Sequence, residues 1–338
     1  MKHILTIIML LSTLTMAAQS NYSPCYTNNM SKGDAAFKQG KYSEAKTYYA
    51  TAKQCNGGNP AEAQKKINQC NAKLNPAQKP QTSSSMPKTG QTFTFNGISF
   101  KMVYVQGGTF TMGCTTEQGG DCEGYEKPTH SVTLSDFLIG ETEVTQALWE
   151  AVMGTTVREQ RDKANPSWSM KGEGASYPMY YVSWSETVEF CNKLNERLRS
   201  QLPSGYRFTL PTEAQWEYAA RGGNKSQHYK YAGSNTVNEV AWYKGNSSSA
   251  THPVKGKQAN ELGLYDMSGN VWEWCSDWYG SYSNSAQTSP KGPSSGSYRV
   301  LRGGGWNGYS GFCRVSCRSN AIGFRDDYYG FRLALVRQ

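Results

Sequence analysis

Between Arg302 and Ala334 the chain reads RGGGWNGYSGFCRVSCRSNAIGFRDDYYGFRLA, and its residue types point to recognition chemistry. Trp306, Cys313, Arg314, Val315, Ser316, Arg318, Arg325 and the closing GFRLAL read as fixed positions. The rest are Asn307, Gly308, Tyr309, Ser310, Gly311, Phe312, Cys317, Ser319, Asn320, Ala321, Ile322, Gly323, Phe324, Asp326, Asp327, Tyr328 and Tyr329. Each of these can be encoded by a codon that ends in C with its first two bases free, the set reached from AAC when only adenines are randomised. Lys, Glu, Gln, Met and Trp lie outside that set. None of them occurs from Asn307 to Gly330, although the five types make up about a quarter of the chain. Tyr, Ser, Gly, Asn and Asp are also the vocabulary of antibody paratopes, where rigid aromatic contacts are combined with adaptable hydrogen bonding. The candidate ligand contacts are therefore Asn307, Gly308, Tyr309, Ser310, Gly311, Phe312, Ser319, Asn320, Ile322, Phe324, Asp326, Asp327, Tyr328 and Tyr329.

Thiols and imidazoles are the other reactive groups. The nine cysteines are an odd number, so at least one thiol stays free or pairs with another chain. His130, His228 and His252 are far apart and form no His-rich metal motif. His130, in PTHSV, reads as a structural strand histidine.

The compartment follows from the N-terminus. MKHILTIIMLLSTLTMAAQS has a basic start, an apolar run and small residues at Ala17 and Ala18. It reads as a signal peptide over residues 1–18, cleaved before Gln19. The apolar run is shorter than the roughly 20 residues a membrane span requires, which leaves no transmembrane segment in the mature chain. NYSP before Cys25 makes a poor lipid-attachment signal. The expectation is an exported protein, periplasmic, cell-surface or secreted, in which disulfides form. A mean hydropathy of −0.66 and 12% aromatic residues fit a soluble chain. The net charge of +9 is uneven: residues 31–90 hold ten lysines against three acidic residues. The remainder is close to neutral, which argues against a nucleic-acid-binding surface there.

Three regions must position these groups. Residues 31–74 have helical spacing of Ala35, Ala36, Phe37, Tyr42, Ala45, Tyr48, Tyr49 and Ala52, a turn at Gly40, and a further helix opening on Pro60. This stretch resembles one tetratricopeptide repeat, which would look to a neighbour or protein partner to cover its open face. Residues 75–92 are a Pro/Ser/Gln/Lys linker. From residue 93 to 338 the texture is α+β. FKMVYVQGGTFTMG suggests a hairpin turning at Gly107–Gly108, TQALWEAVMG and SWSETVEFCNKLNERLRS suggest amphipathic helices, and RFTLPTEAQWEYAARGG suggests a strand, a turn and a helix ended by Gly222.

MVYVQGGTFTMG, KPTHSVTLSDFLIGETEVTQALW, YPMYYVSWSETVEFCNKLNE, FTLPTEAQWEYAARGG, LGLYDMSGNVWEWCSDWY, GPSSGSYRVLRGGGW and GFRLAL occur in order from Phe93 to Leu335. Together they resemble the formylglycine-generating (sulfatase-modifying factor) domain family. The resemblance implies a loop-rich variant of the C-type lectin fold, often with bound calcium. It also implies an oxidase activity that needs two thiols, in a Cys-x4-Cys spacing, to hold copper(I), a soft ion that prefers soft thiolates. Here the first of those positions is Gly308, and only the second, Cys313, carries a thiol. No copper is therefore expected and Cys313 reads as vestigial. In SGNVWEW the resemblance places a structural calcium ion on Asn270, Val271 and Glu273, the hard oxygen donors calcium favours. It also pairs Cys275 with Cys313. Cys114 with Cys122 and Cys55 with Cys70 are further candidate pairs, and Cys191 reads as core.

The C-terminal stretch from 307 to 329 is similar to the variable region of diversity-generating retroelement proteins, which use C-type lectin folds. The reading is a non-catalytic exported protein that presents a protein- or glycan-binding face. The alternatives are an oxidase of the formylglycine-generating type and a fixed structural module of an envelope assembly.

Overall fold

The computed structural model describes residues 22–74, 88–120 and 122–337. The stretch read as a signal peptide, residues 1–18, and most of the expected linker, residues 75–87, lie outside them. The chain divides into two units, residues 1–80 and 81–338.

The first unit holds three helices, α1 (Pro24–Lys38), α2 (Tyr42–Gln54) and α3 (Pro60–Leu74). Helix α1 begins seven residues earlier than the spacing predicts, because Ser23 caps it and Pro24 opens it. Proline at the first helical position loses no intrahelical bond and presets φ. The small core is Tyr26, Met30, Ala36, Ala45, Tyr49, Ala52 and Ala63. Gly33 is required there: a Cβ would stand 2.5 Å from the Tyr49 ring. The disulfide joins Cys25 to Cys55, with Cα atoms 5.8 Å apart, and corrects the expected Cys55–Cys70 pair. Cys70 remains a free, buried thiol.

The second unit is α+β, with a C-type-lectin-like arrangement of curled sheets and long loops. Its strands and helices run β1 (Gln91–Phe95), β2 (Ile98–Val105), β3 (Gly108–Met112), β4 (His130–Leu134), β5 (Phe137–Gly140), α4 (Gln146–Met153), α5 (Val157–Ala164), α6 (Trp184–Arg197), β6 (Tyr206–Thr209) and α7 (Glu213–Ala220). There follow α8 (Val237–Val240), β7 (Ala241–Trp242), β8 (Ser268–Gly269), β9 (Trp272–Trp278), β10 (Gln287–Thr288), β11 (Arg299–Arg302), β12 (Arg318–Ala321), β13 (Tyr329–Gly330) and β14 (Ala334–Arg337). The helix starts are written in the sequence. Thr156, Ser183 and Thr212 each form a capping box with Glu159, Glu186 and Gln215 respectively, which satisfies two otherwise unpaired backbone donors per helix.

The strands order as β1-β2-β5-β14-β6, β10-β4-β3, β12-β11-β9-β13 and β7-β8. The expected hairpin across Gly107–Gly108 does not form. Strand β2 pairs with β1 and β5, whereas β3 pairs with β4 in another sheet. The chain turns a corner at Gly107, where a Cβ would stand 2.3 Å from the Leu134 carbonyl oxygen, so only glycine allows so close a crossing. Trp149, Trp216, Trp274, Tyr180, Tyr181, Phe93, Phe137 and Phe190 fill the core. Strand β14 lies inside the largest sheet, antiparallel to both β5 and β6.

Candidate ligand-binding face

The segment from Asn307 to Tyr329 is held at both ends by one sheet. Strand β11 leads into it and β12 runs back along β11, with Arg302 opposite Arg318. After a second loop, β13 pairs with β9, placing Tyr329 opposite Trp272. Two loops are thereby presented on a fixed base.

That base is made of arginines. Arg302 is fully buried. It donates to Glu217 and to the carbonyls of Val315, Ser316 and Cys317 at 3.0, 2.9 and 2.6 Å, so it shapes the return of the first loop. Arg314 forks onto Glu126 at 2.7 and 2.6 Å, and Arg318 onto Glu213 at 2.7 and 2.6 Å. Burial would raise the Glu126 carboxyl, but Arg314 and Ser316 hold it below its ordinary value. Trp306 ties the two loops together: its indole N–H donates to the Asp327 carbonyl at 3.0 Å.

Burial separates most of the positions read as fixed from the rest, with Cys317 buried and Arg325 half-buried against that division. Trp306, Cys313, Arg314, Val315, Ser316 and Arg318 are buried. Asn307, Tyr309, Phe312, Ile322 and Phe324 are exposed, and Ser310, Gly311, Ser319, Asn320, Asp326, Asp327, Tyr328 and Tyr329 are half-buried. Gly308 is the buried exception among the candidate contacts. Tyr309, Phe312, Ile322 and Phe324 are 65%, 39%, 52% and 68% exposed, values unusual for large apolar side chains and characteristic of a binding surface.

A cavity of about 290 Å³ opens on this face. Asn307, Gly308, Phe312, Ser319, Tyr328 and Tyr329 line it, together with Trp272, Tyr125 and Arg318. Tyr328 and Tyr329 meet edge to face at 4.6 Å, and Tyr329 leans on Trp274 at 5.1 Å, so this pair is partly anchored. Tyr309 stands outside the cavity beneath Lys244, whose Nζ is 4.5 Å from the ring centroid. Ile322, Phe324, Asp326 and Asp327 do not line it either. The Asp327 carboxyl is pushed up to about 6, first by burial and then by Asp326. Sequence reasoning missed Tyr125, which arrives from a loop far upstream and carries no local signal of its role. Trp272 and Arg318, the latter read only as a fixed position, also reach the cavity wall.

Gly308 and Cys313 do not make a copper site. Gly308 has no side chain. The Cys313 thiol is fully buried and pushed well above its usual value, first by burial and then by Cys317. The expected Cys275–Cys313 disulfide is corrected too: both are free thiols. Cys275 packs in the main core, whereas Cys313 packs with Tyr231, Val240 and Ala241 in a satellite cluster. Cys114 and Cys122 do pair, with Cα atoms 6.0 Å apart.

Asn270, Val271 and Glu273 do not fit a calcium ion as arranged. The two Glu273 oxygens accept from Arg332 at 2.6 Å each, and one also accepts from Trp216 at 2.7 Å. The Asn270 amide donates to Glu143 at 2.8 Å, and its oxygen accepts from the His252 N–H at 3.0 Å. The Val271 N–H also donates to Glu143, at 3.1 Å. Among the described residues no group of three or more His, Cys, Asp and Glu is arranged to hold a metal.

The carboxyls at this turn have a different consequence. Glu143 is raised well above the carboxylate range, by burial first and then by Asp266 and Glu273. Asp266 is raised to about 6, chiefly by burial. The folded state thus keeps a proton on Asp266 that the unfolded chain releases from about pH 4. That stability is full below the unfolded value and is lost as pH rises through about 6. Asp266→Asn, which keeps an oxygen for the Lys255 N–H, is expected to be about 1–3 kcal/mol more stable than wild type at pH 8, with little gain at pH 4. Calorimetry at the two pH values checks this.

The comparisons agree with this geometry. Residues 95–337 match the model of the sulfatase-modifying factor enzyme 1-like domain. Chaperone protein LppX of Paenibacillus barcinonensis is 35% identical over 255 residues, spanning 62% of this chain and 79% of that protein. Formylglycine-generating enzyme of Streptomyces coelicolor is 30% identical over 290 residues, spanning 69% and 88%. Among solved structures, Treponema denticola variable protein 1 is similar with a TM-score of 0.63 and 35% identity, over 74% of this chain and 99% of that one. With its strands, caps and buried arginines in place across the matched residues, the chain belongs to the sulfatase-modifying factor enzyme 1-like domain family.

Proposed function

We propose that this is an exported, non-catalytic binding protein whose segment from Asn307 to Tyr329, rewritten by adenine-directed retroelement mutagenesis, forms a diversified face for a protein or glycan ligand. The observation that carries the reading is that a segment confined to the AAC-derived set places its candidate contacts at the surface. Of the candidate contacts from Asn307 to Tyr329, all but Gly308 reach solvent. The positions read as fixed are mostly buried. Similarity to a protein named as variable supports the same reading. Disulfides in both units fit an oxidising compartment. Similarity to formylglycine-generating enzymes keeps the oxidase in view, but Gly308 and the buried Cys313 thiol weigh against it.

The coding DNA tests diversification. The candidate positions should use codons ending in C, and a near-copy of the segment carrying AAC at them should lie beside a reverse transcriptase gene. Codons ending otherwise would remove the diversification reading. Binding is tested separately, by screening the exported protein against glycan and envelope-protein arrays. Tyr309→Ser and Phe324→Ser should change the set of partners bound at least tenfold in affinity, and an unchanged profile would remove the binding-face reading.

A further inference from the structure

A larger cavity, of about 510 Å³, lies elsewhere in the second unit. It sits where the start of α7 and the end of β9 meet the chain from Gly280 to Pro293, and His130, at the head of β4, forms part of its wall. Strand β10, within that chain, is fixed by parallel pairing with β4. Of the residues that line the smaller cavity, only Arg318 is shared. The volume is within the range of small-molecule sites, about 300–1,000 Å³.

Two buried side chains in this wall keep an acceptor unused. His130 is 5% exposed and Asp277 4%. The His130 Nδ1–H donates to the Pro128 carbonyl at 3.2 Å, so in the neutral imidazole Nε2 is a bare acceptor, and no described residue donates to it. Asp277 Oδ2 accepts from the Glu213 backbone N–H at 3.0 Å and from Ser276 Oγ at 2.9 Å, whereas no described residue donates to Oδ1. Oδ1 is bordered by Gly292, where a Cβ would stand 3.4 Å away. The other deep polar groups are spent on each other. Tyr282 donates to Glu213 at 3.1 Å, and Arg318 forks onto Glu213 and donates to the Gly280 carbonyl at 2.8 Å.

Charge selects against ions of either sign. Glu213 and Asp277 are met by Arg318, by Arg299, whose guanidinium acts on Asp277, and by Lys291, which is exposed on the wall. A cation entering the cavity would meet Lys291, and an anion would meet Asp277. Trp278, Met112 and Pro293 make the apolar part of the wall. What the two unused acceptors lack is a donor, and a hydroxyl supplies one without a charge. A single hydroxyl serves one of them. A compact carbon ring bearing several serves both and lays its C–H face on the apolar wall, the combination of a few placed polar groups with apolar contact that small-ligand sites use.

We infer that this cavity is a second ligand site, which takes a neutral saccharide, with ring hydroxyls donating to His130 Nε2 and Asp277 Oδ1 and its C–H face against Trp278 and Met112. The site does not depend on the proposed diversified face, since neither His130 nor Asp277 belongs to the segment from Asn307 to Tyr329.

The test is titration of the whole chain with the methyl α-pyranosides of glucose, galactose and mannose, followed through the imidazole NMR signals of His130, with cyclohexanol, n-butylamine and glucuronate as comparisons. At least one pyranoside is expected to saturate, shifting the signals of His130 while those of His228 and His252 stay in place. Cyclohexanol, which has one hydroxyl, should bind about tenfold more weakly, since one buried acceptor then stays unpaired. His130→Phe, which keeps a ring but removes the acceptor, should weaken pyranoside binding by about tenfold. No saturation by any pyranoside, which would leave the cavity to water, overturns the inference. So would cyclohexanol binding as tightly, butylamine or glucuronate binding more tightly than every pyranoside, or unchanged affinity in His130→Phe. Should His130→Phe fail to fold, the His130 shift in the wild type and the cyclohexanol comparison decide the matter. Partners of the diversified face are read separately, through Tyr309→Ser and Phe324→Ser, so failure of one reading is distinguishable from failure of the other.

Discussion

Replacing Arg332 with methionine is expected to destabilise the second unit by about 3–5 kcal/mol, lowering the melting temperature by roughly 10 °C or more. Arg332 is fully buried and forks onto Glu273, which is equally buried. It also faces Glu143 and Asp266, and donates to the carbonyls of Gly140 and Tyr265 at 3.1 and 3.0 Å. Its removal strands the Glu273 charge, which makes no other ion pair among the described residues. The loss of one partner is costly because the other stays desolvated, so the double change Arg332→Met with Glu273→Gln should recover a substantial part of the stability. Chemical denaturation of the four proteins of this cycle checks the claim. A double variant no better than the single one would assign the cost to lost packing instead.

The second large effect is at Trp306. Trp306→Ala removes a side chain that is 6% exposed and the hydrogen bond to Asp327 that joins the two loops. A cost of about 3–5 kcal/mol is expected. The combined change Tyr309→Ser, Ile322→Ser and Phe324→Ser touches far more of the segment, yet it should alter stability by no more than about 1–1.5 kcal/mol, since exposed positions each contribute within about ±0.5 kcal/mol. Thermal melts of the two variants side by side decide between scaffold and face. If the triple variant melts as early as Trp306→Ala, the segment is structure rather than a display surface. Tyr328 and Tyr329 are unsuited to this comparison, because their ring contacts anchor them in part.

Local chemistry was legible in the sequence and distant pairing was not. Ser183 and Glu186, or Thr212 and Gln215, state their capping boxes within four residues, and the helices begin where they say. In the C-terminal segment residue type alone did not sort buried from exposed, since Ser316 and Gly308 are buried while Ser310 and Gly311 are not. The partners of Arg314 and Arg318, namely Glu126 and Glu213, lie more than a hundred residues away, and no spacing rule reaches that far. Cysteine connectivity failed for the same reason everywhere but at the local Cys114–Cys122 pair. Cys25 lies before the stretch read as helical, and the packing clusters that separate Cys275 from Cys313 exist only in the folded chain. The corner at Gly107 was misread as a hairpin because two alternating strands around Gly-Gly look alike whether the chain reverses or changes sheets.

The last strand has a consequence for inheritance. Strand β14 is central to its sheet, paired on both sides, yet it is translated after the whole of the stretch from Asn307 to Tyr329. A codon ending in C is never a stop, so base changes of the proposed kind always deliver the ribosome to β14. A slipped reading frame or an early break does not. Such a product leaves β5 with one open edge and β6 without its partner strand, which exposes it to aggregation and degradation. On the proposed reading the fold thereby proofreads its own gene: faulty copies are discarded as unfolded protein, and only in-frame rewritings survive.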